Sequence, residues 1–498
     1  MAGSVAIGID ENKGNKVDGE GPQTSSVRDV PLVVDLDGTL LRTDSLWESV
    51  ILLARRRWYA LGLIPVWLLR GKAYFKWRLA ELVDLPVASL PYNEPFLTFL
   101  KAERARPRRL ILATGANEKI AHAIAAHLGL FDHVLASDQT VNLSGSNKLA
   151  KIQAVLAGQS FDYAGNDRVD LSVWHRARRA ILVNPTTSVL LHAPRLTQVE
   201  RVFADEKCGI MSYLRALRLY QWPKNFLVFL PILTAHLVTE GPLLVQAALA
   251  FLAWSLCASA VYVLNDLLDL ATDRKHPKKR TRPFAAGIIP LAHGIALIPL
   301  LLVASFSLGL LLPQRFVVVL GLYFIITIAY SAFIKQVMFL DVVVIAGLYT
   351  LRVHGGAEAI GIMPTFWLLV FSMFLFLHIA LVKRYADLVE LQAHGKFGLD
   401  GRDYQVGDLP SLISLGSSAG YLAVLVLALY VNSSDIHVIY SHPKAMWLLC
   451  PILLYWSSRM WMKSVRGEMH HDPLIYAMQD RTSWVVLACG LLVVAIAV

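Results

Sequence analysis

The stretch Asn265-Asp266-Leu267-Leu268-Asp269-Leu270-Ala271-Thr272-Asp273 decides the fold of most of this 498-residue chain. It directly follows a long apolar segment, 245–264, which is typical of a membrane-spanning helix. On a helix, Asn265, Asp269 and Asp273 share one face because residues four apart are neighbours. Acids at the end of a membrane helix are costly unless they are compensated. The pattern therefore predicts a helical membrane domain that binds Mg²⁺ and a phosphate-bearing substrate here.

A dense cationic cluster follows these acids. It consists of Arg274, Lys275, His276, Lys278, Lys279, Arg280 and Arg282. Basic residues alone would be explained by the tendency of cytoplasmic loops to be positive. Beside the aligned acids, they indicate a binding site for phosphate groups.

The motif Asn265-Asp266-x-x-Asp269-x-x-x-Asp273, with His276, Lys279 and Arg282-Pro283 after it, resembles the first diphosphate–Mg²⁺ motif of the UbiA-type intramembrane transferases. The resemblance implies an all-α membrane domain, usually of nine spanning helices around a central cavity. It implies Mg²⁺ as the cofactor, with Asn265, Asp266, Asp269 and Asp273 at the metal. It also implies phosphate contacts from His276, Lys279, Arg280 and Arg282.

The composition agrees with a membrane protein. Hydrophobic residues make up 55% of the chain and its mean hydropathy is +0.50, which is too apolar for an ordinary soluble protein. The net charge of +10 could suggest nucleic acid, but the charges concentrate between apolar segments, where membrane orientation explains them. No nucleic-acid partner is therefore predicted. The four cysteines have neither metal nor disulfide spacing.

Nine apolar segments follow Lys224, several of them near the lower length limit for a bilayer. They are 225–238, 243–264, 288–312, 315–333, 339–353, 365–382, 413–431, 445–458 and 483–498. Lysine and arginine concentrate in the loops after the even-numbered segments. This asymmetry predicts that these loops and the N-terminal region lie in the cytoplasm and that the C-terminus lies outside.

The loop after the sixth segment reads Lys383-Arg384-Tyr385-Ala386-Asp387-Leu388. It is similar to the decaprenyl-phosphate phosphoribosyltransferase branch of the superfamily, which usually has Glu where this chain has Asp387. The similarity implies phosphoribosyl pyrophosphate as the donor and a polyprenyl phosphate as the acceptor. Lys383, Arg384, Tyr385 and Asp387 then become substrate-binding candidates. Aromatic prenyltransferases normally have an acid four residues after Asp387, where this chain has Leu391, although Glu390 could substitute.

Further substrate-binding candidates lie in other loops. Lys224 and Asn225 open the membrane domain in a stretch that frames the cavity of similar proteins, although Lys224 could equally anchor the chain at the interface. Tyr330 and Lys335, at the end of the fourth segment, match a superfamily pattern that contacts the diphosphate. The last charged loop contains His470, His471 and Asp472, which shape the loop, touch ribose or hold a metal ion.

A second set of motifs lies in the N-terminal part. The apolar runs 30–34 and 110–113 predict buried strands. The first ends in Asp35-Leu36-Asp37-Gly38-Thr39, the second ends in Thr114-Gly115, and Lys148 follows farther on. This order resembles the motifs of haloacid dehalogenase-like phosphatases. It implies a Rossmann-like α/β fold with a helical cap.

Catalytic roles follow from that resemblance. Asp35 is the nucleophile that forms an aspartyl-phosphate, and Asp37 is the general acid and base. Thr114 and Lys148 hold the phosphoryl oxygens.

The fourth motif departs from the usual Gly-Asp, because Gly165 is followed by Asn166. Mg²⁺ would be held by Asp35, by the Asp37 carbonyl and by this motif, in which either Asn166 or Asp167 supplies the ligand. Asp170 has a supporting role.

These motifs predict a disordered lead at 1–28, a phosphatase domain at 29–200, a linker at 201–212 and the membrane transferase domain at 213–498. The lead is rich in Gly, Ser and charge and has no apolar signal-peptide region, so the lead and the phosphatase domain are both expected in the cytosol. The cap occupies about 44–106. Its stretch 47–77 is rich in Leu, Trp, Tyr and Arg, and lies either on the membrane surface or in a buried cap interface.

The two domains predict consecutive reactions. The membrane domain transfers 5-phosphoribose to a polyprenyl phosphate, and the soluble domain removes the 5-phosphate, giving a precursor of cell-envelope glycans. One alternative is an aromatic prenyltransferase that uses a prenyl diphosphate. Another is a transporter or receptor with a sensory soluble domain, for which the matched broken helices of internal repeats would be expected.

Overall fold

The computed structural model describes residues 30–204, 208–395, 397–398, 402–434, 436, 440–469 and 472–498. The predicted lead at 1–28 and the pair His470–His471 lie outside the described residues. The described chain divides into two compact units. The first contains 30–45, 63–88 and 92–204, and the second contains 46–62, 89–91 and the described residues from 208 onward.

The first unit is built on one six-stranded parallel sheet with the strand order β3-β2-β1-β4-β5-β6. The strands are β1 (Leu32–Val34), β2 (Leu110–Asn117), β3 (His133–Ser137), β4 (Asp162–Gly165), β5 (Arg179–Val183) and β6 (Gln198–Phe203). The chain leaves β1 toward β2 on one side and returns to β4 on the other. Ligands of open parallel sheets bind at the carboxyl ends of strands at such a reversal point. The fold thus places the residues after β1 and β4 side by side.

Eight α-helices lie within the described residues 30–204. They are α1 (Ser45–Arg56), α2 (Ile64–Leu69), α3 (Lys72–Leu82), α4 (Glu94–Ala105), α5 (Glu118–Leu128), α6 (Ser146–Leu156), α7 (Leu171–Trp174) and α8 (Thr187–Leu196). β1 is buried along its whole length, as expected for a central strand covered on both faces. Val33 packs in one cluster with Ile111, Ile152 and Trp174. The predicted α/β fold is confirmed.

The second unit is helical. Its helices after residue 208 are α9 (Ile210–Ala216), α10 (Leu230–Thr234), α11 (Gly241–Leu268), α12 (Leu270–Lys275), α13 (Leu291–Gly309), α14 (Gln314–Ala332), α15 (Leu340–Ala359), α16 (Phe366–Ala393), α17 (Leu409–Val431), α18 (Leu449–Val465), α19 (Pro473–Gln479) and α20 (Arg481–Ala497). Among the described residues, six helices are long and apolar enough to cross a membrane, or seven if the bent pair α19–α20 is one span. The predicted helical membrane domain is confirmed, and the number nine stays a prediction.

The first predicted segment, 225–238, does not form a long helix. A 3₁₀ helix covers Leu219–Phe229 and the short α10 follows it. Pro223 lies inside the 3₁₀ helix and Pro231 lies in the first turn of α10. Proline lacks the backbone donor and clashes with the preceding turn, so a continuous α-helix is disfavoured here.

The acidic motif lies where α11 gives way to α12, and the break falls on Asp269. The single continuous helix expected from the spacing is therefore interrupted. The backbone bonds are nevertheless helical in spacing: Asp269 N donates to Asn265 O at 2.9 Å and Asp273 N donates to Asp269 O at 2.8 Å. Asp266, before the break, and Asp273, after it, contact the same cation, Arg282.

Helix α1 is part of the second unit by its contacts, apart from its first residue. Ile51 and Trp47 pack on the cluster that contains Val263 and Phe284. Glu48 and Arg274 form a buried pair, with Arg274 Nη2 donating to Glu48 Oε1 at 2.5 Å.

The same helix also supports the end of α11. Arg55 Nη1 donates to Leu268 O at 3.0 Å, on one of the carbonyls that a helix end leaves without an intrahelical partner. Arg274 Nε donates to Ala285 O at 3.0 Å and so ties α12 to the following loop. Helix α1 therefore braces the segment that carries the acidic motif.

We expect Glu48→Ala to destabilise the protein by about 3–5 kcal/mol, because it leaves a buried guanidinium without its carboxylate. The measurement is thermal unfolding in detergent micelles. Glu81→Ala is the matched control, since Glu81 is an exposed glutamate of α3 whose removal should change stability by less than about 0.5 kcal/mol. Equal melting midpoints for both variants would contradict the importance of the pair.

Candidate active sites

The site of the first unit forms where β1 and β4 end. Lys148 Nζ lies 3.0 Å from Asp35 Oδ1 and 3.2 Å from Asp170 Oδ1. Tyr163 joins this buried network: its hydroxyl donates to Asp170 Oδ1 at 2.7 Å and accepts from Lys148 Nζ at 2.9 Å. The predicted residues Asp35, Lys148 and Asp170 are thus brought together. Tyr163 was not predicted, because inside a strand it reads only as an apolar core residue.

Burial governs the protonation of the two acids after β1. It raises the pKa of Asp35 to about 6, with Asp170 adding to the rise and Lys148 opposing it. Burial likewise raises the pKa of Asp37 to about 8, and the nearby Asp44 adds to this effect. Ser45 opposes the rise by donating its backbone N to Asp37 Oδ1 at 2.8 Å. A carboxyl group that keeps its proton near neutral pH suits a general acid.

In the fourth motif, the side chains of Asn166 and Asp167 have different surroundings. The Asn166 side chain lies against the loop after β1, where its Oδ1 accepts from the Thr39 hydroxyl at 3.3 Å. Asp167 is exposed, and its carboxylate accepts from Arg168 N at 2.6 Å as the cap of a short helix. Of the two predicted metal ligands, Asn166 is therefore the one that contacts the loop after β1.

Asp170 holds the backbone of this motif in place. Its Oδ2 accepts from the backbone N of Asn166 and of Asp167, each at 3.2 Å. Together with the Lys148 contact, these bonds fix the loop after β4. The predicted supporting role of Asp170 thus has a direct geometric basis.

The remaining predicted residue, Thr114, is buried within β2, and its hydroxyl accepts from Ala116 N at 3.0 Å. A cap lysine that the sequence reasoning missed lies beside it. Lys76 Nζ donates to Gly115 O at 2.6 Å and to Asn142 Oδ1 at 2.8 Å. Burial lowers the pKa of Lys76, and the charges of Asp37 and Asp44 oppose that shift. A basic residue from the cap thus reaches the phosphatase site.

The site of the second unit is organised by Arg282. Its Nη1 donates to Asp266 Oδ1 at 3.0 Å and to Asp273 Oδ2 at 2.6 Å. Arg218, which precedes the predicted spans, also donates to Asp266. Both acids are buried, so the two guanidinium groups supply the compensation that the sequence requires.

The third acid of the motif is more accessible. Lys335 Nζ lies 3.6 Å from Asp269 Oδ2, and Arg55 Nη1 lies 3.9 Å from Asp269 Oδ1. Asn265 is partly buried one helical turn before it. The predicted residues thus form two groups, Arg282 with Asp266 and Asp273, and Lys335 with Asp269.

The predicted loop residues after α12 remain at the surface. His276 Nδ1 accepts from the backbone N of Lys278 at 3.2 Å and of Lys279 at 3.4 Å, so it orders the loop. Lys279 and Arg280 are exposed. They are free to swing toward an anion, because long basic side chains keep their charged ends in water.

A second charged centre forms around Asp341, which is fully buried in the first turn of α15. Its carboxylate accepts from Arg384 Nη2 at 2.7 Å, from Arg402 Nη1 at 3.1 Å and from the Tyr404 hydroxyl at 2.6 Å. Arg384 also reaches Asp387, donating to Oδ2 at 2.8 Å. The predicted pair Arg384 and Asp387 is thus joined to an acid that the sequence reasoning missed.

The neighbours of this centre differ in character. The Tyr330 hydroxyl accepts from Arg402 Nη1 at 3.4 Å, which places Tyr330 at its edge. Tyr385 points into the hydrophobic core instead, with its ring 5.5 Å from that of Trp461.

Lys224 and Lys383 meet on one carboxylate. Each donates its Nζ to Asp472 Oδ2 at 2.8 Å. Burial would raise the pKa of Asp472, but the two lysines together hold it well below its usual range. Lys224, Lys383 and Asp472 therefore form a charged triad, and Lys224 is not an isolated anchor at the membrane interface.

Asn225, the next predicted residue, is buried and supports another cation. Its Oδ1 accepts from Arg352 Nε at 2.9 Å, and its Nδ2 donates to Ser255 Oγ at 3.0 Å. Arg352 also donates to the Tyr323 hydroxyl at 3.0 Å. Arg352 was missed although it lies inside a predicted span together with Asp341, and a charge within an apolar span is itself a signal of function.

An apolar cavity of about 910 Å³ begins beside Lys224. Its lining includes Leu474 of α19, Thr234 of α10 and Met363 of the loop between α15 and α16. Such a cavity has the size of a ligand pocket, and its apolar wall fits a hydrocarbon chain.

Mg²⁺ requires oxygen ligands, and both units contain carboxylates that could supply them. Among the described residues, no three His, Cys, Asp or Glu side chains converge closely enough to hold a metal ion by themselves. Mg²⁺ is commonly held by one or two carboxylates, with water and substrate phosphate completing its shell. The partly exposed Asp269 supplies a carboxylate of that kind, as does Asp35 after β1, with the Asn166 amide after the neighbouring strand β4.

Comparisons with known proteins match each unit separately. The UbiA prenyltransferase family model matches residues 228–470, and the haloacid dehalogenase-like hydrolase model matches residues 32–173. The uncharacterized protein y4nM of Sinorhizobium fredii is 33% identical over 463 residues, which cover 92% of this chain and 89% of that protein.

A decaprenyl-phosphate phosphoribosyltransferase of Mycolicibacterium smegmatis is 33% identical over 187 residues, which cover 36% of this chain and 58% of that enzyme. A solved structure of a UbiA homologue from Archaeoglobus fulgidus, bound to DMAPP and Mg²⁺, is 17% identical with a TM-score of 0.45. It covers 57% of this chain and 99% of that chain.

We expect Gly38→Ala to reduce the hydrolysis of p-nitrophenyl phosphate at least about tenfold, because a Cβ there would lie 2.1 Å from Asn166 Nδ2. Gly129→Ala is the matched control. Gly38 has φ +72° and Gly129 has φ +64°, so both variants bear the left-handed strain of about 1–2 kcal/mol. Nothing lies within 4 Å of a Cβ at Gly129. Equal activities of the two variants would show that Asn166 is not held against the catalytic loop.

Proposed function

Because the chain belongs to the UbiA prenyltransferase family in its membrane unit and to the haloacid dehalogenase-like hydrolases in its N-terminal unit, we propose that it makes and then dephosphorylates a lipid-linked phosphoribose. The membrane unit transfers 5-phosphoribose from phosphoribosyl pyrophosphate to a polyprenyl phosphate. The N-terminal unit removes the 5-phosphate. The observation that supports the first step is that each acid of one short motif is paired with a cation, Asp266 and Asp273 with Arg282 and Asp269 with Lys335.

The choice of donor rests on the second charged centre. The Lys383–Asp387 loop is similar to that of phosphoribosyltransferases, and relatives with that name match this unit. The donor carries phosphate at both ends of the sugar, so it needs two cationic regions. Arg282 and Lys335 supply one, and Arg384 and Arg402 around Asp341 supply another.

The transfer needs positioning more than acid–base chemistry. An oxygen of the lipid phosphate attacks C1 of ribose, and the bond from C1 to the diphosphate breaks with its electron pair leaving on the diphosphate. Mg²⁺ at Asp266, Asp269 and Asp273 would neutralise that leaving group. The acceptor is already an anion, so no strong base is required, and the proximity of the two substrates supplies most of the acceleration.

The acceptor is proposed to enter from the side of the membrane unit. Its phosphate would lie near Lys224 and Lys383, and its chain would occupy the apolar cavity that begins beside Lys224. The positive loops favour the cytoplasmic face for the sites of this unit.

The phosphatase step uses residues of the first unit. Asp35 attacks phosphorus while Asp37 gives its proton to the departing ribose oxygen, and Asp37 then activates the water that hydrolyses the aspartyl-phosphate. Lys148 holds a phosphoryl oxygen, and Asp170 and Tyr163 hold Lys148. Mg²⁺ held by Asp35, the Asp37 carbonyl and Asn166 would neutralise phosphoryl charge.

We expect Asp273→Ala to lower phosphoribosyl transfer at least about 100-fold, because it removes a carboxylate from the predicted metal site and frees Arg282. Purified protein in lipid is incubated with labelled phosphoribosyl pyrophosphate and polyprenyl phosphate, with and without EDTA. Glu240→Ala, an exposed acid at the other end of α11, is the control and should keep wild-type activity.

The same assay decides between donors. Full transfer by Asp273→Ala, or undiminished transfer in EDTA, would refute the metal site. If labelled phosphoribose stays in water while a prenyl diphosphate and an aromatic acid give a prenylated product, the protein is an aromatic prenyltransferase.

A variant of the N-terminal unit should separate the transfer reaction from the phosphatase reaction. Asp35→Asn should leave transfer intact, while the lipid product accumulates with its 5-phosphate, since the nucleophile is lost. Mass spectrometry distinguishes the products by one phosphate. If the wild-type product also keeps its phosphate, the soluble unit acts on another substrate. If Asp35→Asn stops transfer itself, the two reactions are not independent.

A further inference from the structure

The segment Trp58–Leu69, called the anchor segment below, exposes an apolar surface that its fold does not use. It consists of the 3₁₀ helix Trp58–Leu63 followed by α2. Trp58 is 74% exposed, Tyr59 is 67% exposed and Leu69 is 88% exposed. Contiguous apolar surface of this kind is uncommon in water and marks a contact with a protein or a membrane.

Buried residues fix the orientation of the anchor segment. Ala60 and Trp67 are buried, while Leu63, Val66 and Leu68 are each about half exposed. The segment thus contacts the protein through Ala60 and Trp67, with Leu61 and Ile64 partly buried, while Trp58, Tyr59 and Leu69 face outward. The predicted alternative of a buried cap interface does not describe these outward residues.

The charges around the anchor segment have one sign. Arg56 and Arg57 precede it, and Arg70 and Lys72 follow it. No Asp or Glu occurs between Glu48 and Glu81 in the sequence. Exposed arginines and lysines beside tryptophan, tyrosine and leucine are the composition of segments that lie in the interface of anionic membranes.

We propose that the anchor segment inserts its outward apolar side chains into the interfacial layer of the bilayer, with the flanking basic residues on anionic lipid headgroups. Twelve residues are too few to span the membrane as a helix, so the segment lies in the surface. The inference rests on the proposed function in one respect. A phosphatase whose substrate stays attached to a polyprenyl chain must work at the membrane surface.

The direct test measures the depth of one side chain. The full chain carries Leu69→Cys as its reactive cysteine, with Cys208 and Cys489, the two exposed cysteines, changed to Ser. A polarity-sensitive dye on this cysteine is followed in nanodiscs of phosphatidylcholine, with and without phosphatidylglycerol, and with nitroxide-labelled lipid as quencher. Val141→Cys, an exposed apolar position of the first unit, is the matched control.

The anchor predicts that the Leu69 dye shifts to the blue and is quenched by nitroxide lipid, more strongly with phosphatidylglycerol and less at high salt. The Val141 dye should show neither change. Equal behaviour of the two dyes would overturn the proposal. So would a Leu69 signal that depends on energy transfer between labelled copies, because a second copy of the chain would then cover the surface.

A functional test uses the double variant Trp58→Glu, Leu69→Glu. It should raise KM for the lipid-linked phosphoribose at least about tenfold by weakening interfacial binding, and leave p-nitrophenyl phosphate hydrolysis unchanged. Val141→Glu should change neither activity. Loss of both activities in the double variant would indicate misfolding, and the quenching result then decides. If the wild type does not act on the lipid-linked substrate, the proposed function fails while quenching still tests the anchor.

Discussion

The bridge from one nitrogen of Arg282 to Asp266 and Asp273 is the contact on which the membrane unit depends. Two carboxylates buried together would repel each other and lose their hydration, and a protein can keep both charged only if cations accompany them. Arg218 and Arg282 provide that charge in equal number. The pairing explains why acids at the end of an apolar helix come with one arginine nearby in the sequence, Arg282, and with a more distant one, Arg218. It also means that the acids are held in place before any substrate arrives.

The sequence predicts well what is local. Both fold classes and the buried strands near 30–34 and 110–113 were predicted from motifs read within short windows. The conformation at Pro223 and Pro231 was predictable in principle, because proline breaks helices whatever the surroundings. The break at Asp269 was not predictable from the sequence, because it depends on the packing of α12, where Arg274 pairs with Glu48.

What the sequence hides is the choice of distant partners. Asp341 meets Arg384, Arg402 and Tyr404, which lie 43, 61 and 63 residues away. Lys76 reaches Gly115 from a cap helix. The sequence shows these side chains as charged residues within or beside apolar segments. Which of them contact each other is decided only by the packing of the helices. Asn166 is a simpler case, because its position beside Thr39 follows from the order of β1 and β4 in the sheet.

The triad of Lys224, Lys383 and Asp472 has a consequence for how the protein is made. Lys224 stands at the beginning of the membrane unit, and its carboxylate partner lies 248 residues farther along the chain. At a synthesis rate of about 5–20 residues per second, roughly 10–50 s pass before that partner leaves the ribosome. During this interval Lys224, and later Lys383, lack this carboxylate while the helices between them enter the bilayer. Assembly of this corner is therefore among the last events of biogenesis, and a chain that ends before Asp472 inserts its helices with this pair of ammonium groups unneutralised.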